Sequence, residues 1–197
     1  MCNQFHLPDL KQIQAYLKSD LNLPLVEPDF SIQATDIFPN QTAPVLLYQD
    51  NKLQLSNKKW GYPNPIDPKK SLFNARIERF YEAKTSMWDK SFAQQRCLII
   101  TDHFFEYAHT TYTAKNGRKY HDRYAFHTDA PITLIAGIYD HDRFSMVTTT
   151  PNKDMAPIHN RMPLVILPNE LRRWLFQNFT SLINRESVDL HVEKMLQ

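Results

Sequence analysis

The chemistry that this chain could perform starts with Cys2, one of only two cysteines in its 197 residues. The initiator methionine is removed when the second residue is small, so we expect the mature chain to begin at the α-amine of Cys2. This amine has an ordinary pKa of about 7.7 to 8.0, which leaves part of it nucleophilic at neutral pH. Together with the thiol it could capture an aldehyde, first as an imine and then as a five-membered thiazolidine ring. The alternative is that Cys2 has no role.

Two further motifs could transfer protons. In IHNRMP, residues 158–163, His159 offers an imidazole for acid or base work and Arg161 offers a guanidinium for an anion. In FFEY, Glu106 follows an apolar run, and burial there would raise its pKa into a range useful for general acid catalysis. The plainer alternatives are a surface loop with a hydrogen-bonded histidine and an outward-facing strand residue.

The segment NARIE places Asn74, Arg76 and Glu78 at the predicted start of a helix. Asn74 could act on a substrate or as an ordinary N-cap, and Arg76 and Glu78 could form a solvated ion pair. The His- and Asp-rich runs KYHDRYAFH and YDHD lack the spacing of known metal motifs, so no metal is expected. Three glycines cannot build a glycine-rich phosphate loop, and no cofactor is expected.

Composition limits the class of protein. The net charge is only +2, from 23 basic and 21 acidic residues, so a nucleic-acid-binding role would depend on a local patch. No signal peptide or apolar run of membrane-spanning length occurs, which predicts a soluble cytoplasmic protein with reduced thiols and no membrane partner. The length favours a single domain over residues 1–197, and the absence of long heptads favours a monomer.

Short apolar or aromatic runs separated by turn residues predict an α+β fold with a mainly antiparallel β-sheet or barrel core and flanking helices. The predicted strands are APVLLYQ, KLQLSNKKWGY, RCLIITDHFFEYA, RKYHDRYAFHT, ITLIAGIYD, FSMVTTT and MPLVILP, and KNGRK is a hairpin signal. Apolar residues at helical spacing predict helices in PDLKQIQAYLKSDL, NARIERFYEAKT and NELRRWLFQNF, the last with Asn169 as N-cap. The end, SLINRESVDLHVEKMLQ, is interpreted as a peripheral helix.

Taken in order, these motifs resemble the SRAP family (SOS response-associated peptidase domain), the abasic-site-processing proteins. The matching residues are Cys2, Trp60-Gly61, Asn74-Ala75-Arg76 with Glu78, Arg96-Cys97-Leu98, Phe104-Phe105-Glu106, Ala136-Gly137, Thr149-Thr150 with Asn152, His159 with Arg161-Met162-Pro163, and Trp174-Leu175. They extend over nearly the entire chain, and Cys2 followed by eight motifs in one order is difficult to obtain by chance.

The resemblance implies an SRAP-like fold and a sensor of abasic sites in single-stranded DNA, acting in the DNA damage (SOS) response. Cys2 would form a thiazolidine DNA–protein crosslink with the sugar aldehyde. Asn74 would orient Cys2, Glu106 would move protons during ring opening and imine formation, and His159 would be the second acid/base. The resemblance further implies removal of Met1 by autocatalysis, lyase-type activity at abasic sites, and association with the nucleoid after damage.

The resemblance also implies how DNA would be held. Arg76 and Arg161 would contact phosphates, and Trp60 would form part of a DNA-facing aromatic edge. The chain departs from the family at its start, where Asn3 and Gln4 replace Gly-Arg, and in YPNPIDPKK, which lacks the usual tryptophan. Two alternatives stay open: a cysteine-dependent peptidase or hydrolase with His159 as base, and, because of Gln4 and the missing tryptophan, a noncatalytic module that binds single-stranded DNA.

Overall fold

A computed structural model describes residues 1–18 and 25–195. The strands are β1 (Gln4–Leu7), β2 (Leu25–Val26), β3 (Thr35–Ile37), β4 (Thr42–Gln49), β5 (Lys52–Trp60), β6 (Tyr62–Pro63), β7 (Ser71–Leu72), β8 (Asn74–Arg76), β9 (Arg96–Thr101), β10 (His103–Thr113), β11 (Lys119–His127), β12 (Thr133–Asp140), β13 (Arg143–Thr149), β14 (Met162–Pro163), β15 (Val165–Ile166) and β16 (His191–Lys194). The helices are α1 (Leu10–Tyr16), α2 (Asp89–Gln94) and α3 (Leu171–Phe176), with 3₁₀ turns at Ile77–Phe80, Pro168–Glu170 and Thr180–Leu182. The α+β class and the mainly antiparallel core are as predicted.

Two large sheets share one buried core. The first is antiparallel in the order β16-β11-β10-β1-β3. The second runs β14-β13-β12-β9-β4-β5-β2, with β8 on β13 and β15 on β12. Three strands, β12, β9 and β4, lie between β13 and β5 along this path. A parallel pairing joins β13 directly to β5, so the sheet closes on itself. The closed sheet packs on the first sheet, and Trp60 at the end of β5 contacts Phe5 of β1.

The N-terminus is a paired strand. Strand β1 lies between β10 and β3, with Gln4 opposite Phe105 and His6 opposite both His103 and Asp36. Backbone pairing on both sides fixes a segment that would otherwise fray, because each ladder bond must break before the chain end can move. Cys2 is consequently fully buried.

The predicted helix at PDLKQIQAYLKSDL is confirmed over Leu10–Tyr16, and its last residues, 19–21, lie outside the described part of the chain. Asp9 is its N-cap and forms a capping box: Gln12 N–H donates to the Asp9 carboxylate, and the Gln12 side chain accepts from Asp9 N–H. The hairpin at KNGRK is also confirmed, because β10 and β11 pair on either side of it, with Thr113 opposite Lys119. Gly117 in the turn adopts φ 78°, which glycine accommodates easily.

Three helix predictions need correction. In NARIERFYEAKT, residues 74–76 instead form β8, which pairs in parallel with β13, and only a 3₁₀ turn follows. Asn169 is not an N-cap, because it lies inside a 3₁₀ turn that begins at Pro168, and Glu170 caps the Leu167 N–H instead. The C-terminal segment contains β16, paired with β11, where a helix was predicted. In all three segments, tertiary pairing or local capping overrides apolar spacing.

Close strand packing makes Gly137 a sensitive position. A Cβ atom there would lie 2.8 Å from the Cys97 sulfur across the β12–β9 pair. We expect Gly137→Ala to lower the free energy of unfolding by about 1 to 3 kcal/mol, the usual cost of overpacking. Thermal or denaturant unfolding measures this loss, and adding Cys97→Ala should restore most of it; an equally destabilised double variant would contradict the proposed clash.

Candidate active site

The chain terminus lies among three side chains from distant parts of the sequence. The Met1 α-amine lies 2.8 Å from His159 Nε2 and 3.5 Å from Glu106 Oε2. Asn74 donates from Nδ2 to the Cys2 carbonyl oxygen at 2.9 Å. The structure therefore brings together all four residues predicted to be catalytic.

The Cys2 thiol is held in a dry environment. It is fully buried and donates a hydrogen bond to the Gln4 carbonyl at 3.4 Å. Burial raises the pKa of Cys2 well above its ordinary value, and the nearby Glu106 carboxylate raises it further. The thiol is therefore protonated at neutral pH and is not a free thiolate nucleophile.

Glu106 projects from β10 into the core and is only 3% exposed. Burial raises its pKa to about 7, against the opposing effect of the Met1 ammonium. Its second oxygen, Oε1, is buried and has no hydrogen-bond partner among the described residues. A carboxyl group with these properties can both accept and return a proton near neutral pH.

His159 follows a turn that leads into β14, and its side chain is nearly buried. Because an ammonium can only donate, Nε2 accepts from Met1. Nδ1 lies 3.0 Å from the Arg161 carbonyl oxygen and 3.1 Å from the Arg161 backbone nitrogen. Burial lowers the pKa of His159, and the adjacent amine lowers it further. The imidazole thus faces the chain terminus as a neutral base.

Asn74 owes its position to the pairing of β8 with β13, which places it opposite Met146. Its Nδ2 group holds the Cys2 carbonyl, while its Oδ1 atom is buried without a hydrogen-bond partner in the described part of the chain. This arrangement is not an N-cap, and it fits the predicted orienting role, which remains a prediction.

Arg161 and Arg76, the two predicted phosphate contacts, differ in whether their side chains are already paired within the protein. Arg161 donates to both carboxylate oxygens of Glu78, at 2.7 and 2.9 Å, and also to the Thr148 carbonyl. Although burial alone would raise the pKa of Glu78, this fork holds it below its ordinary value. Arg161 is therefore an ion-pair partner of Glu78 here, and its predicted phosphate contact remains a prediction. The exposed Arg76 side chain makes no hydrogen bond or salt bridge with a described residue, but its charge also lowers the pKa of Glu78, as expected for a solvated pair.

The predicted DNA-facing position of Trp60 is wrong. Its side chain is fully buried at the end of β5, where the indole N–H donates to the Phe73 carbonyl at 2.7 Å. The ring packs against Phe5 and Phe144, with centroids 5.1 and 6.1 Å away. Trp60 therefore stabilises the core between the two sheets, and no face of it is available to a base.

Sequence reasoning missed His109, whose ring stacks on His159 with centroids 4.5 Å apart. The available signal was a histidine three residues after Glu106, but strand spacing alone could not indicate the contact. Over residues 1–18 and 25–195, no three His, Cys, Asp or Glu side chains are grouped to hold a metal ion. No helix in those same ranges is long and apolar enough to cross a bilayer.

Two bacterial proteins are similar in sequence to this chain over most of its length. The abasic site processing protein YedK of Escherichia coli K12 is 24% identical over 189 residues, covering 91% of this chain and 82% of that protein. Abasic site processing protein YoaM of Bacillus subtilis 168 is 23% identical over 159 residues, covering 74% and 67% of the two chains.

Two crystal structures share the fold. A protein from Bacteroides thetaiotaomicron aligns with a TM-score of 0.65 at 20% identity, covering 95% of this chain and 91% of its own. A phage-related protein from Bordetella bronchiseptica aligns with a TM-score of 0.70 at 18% identity, covering 100% and 95%. The SOS response associated peptidase (SRAP) model matches residues 1–193. The chain therefore belongs to the SRAP family.

Proposed function

We propose that this protein processes abasic sites in single-stranded DNA by forming a covalent thiazolidine crosslink through Cys2. The observation that carries the proposal is the position of the chain terminus: its amine lies between Glu106 and His159, and Asn74 holds the Cys2 carbonyl. The names of the relatives, abasic site processing proteins, support the same substrate class.

The chemistry begins with removal of Met1, which makes the nitrogen of Cys2 the α-amine. This nitrogen is three bonds from the Met1 nitrogen, and Glu106 and His159, which contact the Met1 nitrogen, are its proposed proton acceptors. The autocatalytic route to this removal is part of the proposal: the same two groups would move protons as the Met1–Cys2 peptide bond is hydrolysed.

The crosslink then forms in two steps, imine formation and ring closure by the thiol. The unprotonated amine adds to the sugar aldehyde, and the carbinolamine loses water to give an imine. The thiol next adds to the imine carbon, its proton passing to the imine nitrogen, and the ring closes. The high pKa of buried Cys2 suits this order, because the thiol keeps its proton until the imine is present. A carboxyl group of pKa about 7, Glu106, suits the proton transfers in both steps. The same imine is the usual entry to lyase-type strand cleavage.

The alternative of a peptidase acting on other chains is less well supported. His159 Nε2 contacts the α-amine, and the Cys2 thiol donates to Gln4 and is fully buried. A cysteine protease needs its base on the thiol. A noncatalytic DNA-binding module was suggested by Gln4, but that side chain is buried and bonds Asp36, so its identity says little about DNA.

The proposal is tested by incubating the protein with a single-stranded oligonucleotide that carries one abasic site. Intact mass spectrometry must first establish that Met1 is absent. We expect a denaturation-resistant adduct with the abasic strand and none with an intact strand of the same sequence. Reversible binding to both strands without an adduct would favour the noncatalytic module, and cleavage of added peptides would favour the peptidase.

Arg76 is the exposed arginine nearest in sequence to the site residues, directly after Asn74-Ala75. We expect Arg76→Gln to weaken binding of single-stranded DNA and to reduce the slope of log K against log salt by about one, as for one lost phosphate contact. Fluorescence anisotropy at several salt concentrations measures this slope. Arg172→Gln, at an exposed position on α3, is the matched control; equal effects of the two changes would argue against a specific contact.

A further inference from the structure

We propose that His109 is a positioning residue that clamps the segment bearing His159, so that Nε2 of His159 stays aimed at the N-terminal amine. His109 makes three contacts with that segment, one with each of three consecutive residues. Its backbone N–H donates to the Ile158 carbonyl at 3.3 Å, its ring stacks on His159, and its Nε2 accepts from the Asn160 N–H at 3.3 Å.

The clamp arises from an irregularity in β10. The register between β10 and β11 shifts between Tyr107 and Thr111, as at a β-bulge. In a regular ladder the N–H of His109 would donate to a neighbouring strand, but here it donates to the Ile158 carbonyl. The Ala108 carbonyl accepts a hydrogen bond from His121 Nδ1 at 2.6 Å. Bulges often re-aim side chains next to active sites, and this one aims a ring at His159.

The stacked ring also controls the surroundings of His159. His109 is itself exposed, while His159 beneath it is only 8% exposed. The charged or titratable groups facing His159 are the N-terminal amine, Glu106 beyond that amine, Arg161 and His109. Burial lowers the pKa of His159, and His109, when protonated, lowers it further. Removing the ring should therefore return the imidazole towards its ordinary protonation behaviour.

Two substitutions distinguish the effect of the stacked His109 ring from the effect of its acceptor nitrogen. His109→Phe keeps a stacked ring but removes the acceptor for Asn160 N–H, and His109→Ala removes both. The matched control is His191→Ala, which deletes a similar stack of two histidines, His127 and His191 at 4.9 Å, on strands β11 and β16. NMR spectra of the variants establish that each is folded before other measurements are made.

The first readout is the His159 pKa from an NMR titration, which needs no DNA. We expect this pKa to rise in His109→Ala and to rise less in His109→Phe, as burial and a neighbouring charge are removed. The second readout is the crosslinking rate, whose interpretation rests on the proposed function. At pH 6 we expect it to fall by about tenfold in His109→Ala and less in His109→Phe, part of what a positioned acid/base supplies.

The outcomes distinguish the two proposals. If wild type forms no adduct, the proposed function fails, and the order of His159 pKa values still decides whether His109 acts as a clamp. If wild type forms the adduct and His109→Ala matches it in both readouts, the clamp is overturned. A His109→Phe variant identical to wild type in pKa and pH profile would overturn it as well, since packing alone would then explain the ring. His191→Ala should change neither readout.

Discussion

Cys2→Ala should abolish the denaturation-resistant adduct with an abasic strand. Alanine in second place also permits removal of Met1, so the variant keeps an α-amine at the same position and loses only the thiol. The amine can still form an imine, but an imine hydrolyses on denaturation, whereas a thiazolidine needs the sulfur to close its ring. The change removes a buried sulfur, and the resulting small cavity should cost about 1 kcal/mol of stability, which leaves the fold intact.

Reduction with cyanoborohydride sharpens this experiment. If the amine reacts first, the reductant should trap the imine of Cys2→Ala as a permanent adduct, and the yield should approach that of wild type. Cys97→Ala is the matched control, since Cys97 is the other buried thiol and packs against Gly137, remote in sequence from the chain terminus. An adduct from unreduced Cys2→Ala would refute the thiazolidine, and failure to trap one with reductant would remove the amine from the reaction.

The sequence predicted which candidate residues lie together better than it predicted the elements that carry them. Cys2, Asn74, Glu106 and His159 were proposed from their chemistry and from the family resemblance, and the structure places them together. The strand carrying Asn74 was nevertheless predicted as a helix. Its parallel pairing with β13 joins residues about 70 positions apart, and no local pattern contains that information.

The error at Trp60 and the unforeseen ion pair of Arg161 have a related cause. Whether an aromatic ring faces solvent depends on what packs over it, and Trp60 is covered by Phe5 from the N-terminal strand. Arg161 is occupied because Glu78, 83 residues away, reaches it with both oxygens. Residue type indicated what these side chains could bind, and only the assembled fold decides which partner they have.

Glu106→Gln should slow crosslinking by about 10²- to 10⁴-fold, the range supplied by a positioned acid/base. In wild type we expect the rate to rise with pH through about 7, because the ionised carboxylate accepts the proton of the amine. The variant should lose this inflection. Rates measured from pH 5 to 9 with a constant abasic strand give the comparison, and an unchanged profile would assign the proton transfers to another group.

Glu106→Gln should slow crosslinking but raise the free energy of unfolding above that of wild type near neutral pH. Measuring both separates a catalytic loss from a folding defect. Burial raises the pKa of Glu106 in the folded protein to about 7, above its ordinary value of 4.5. The folded state therefore binds more protons than the unfolded state between these values, and wild type loses stability as pH rises through that window, by on the order of 3 kcal/mol. Glutamine does not titrate, so Glu106→Gln should gain stability relative to wild type between pH 5 and pH 8. Denaturant unfolding at the two pH values measures this difference. A variant that is slow and also increasingly unstable at pH 8 would mean that the Glu106 carboxylate supports the fold and would leave its part in the chemistry without support.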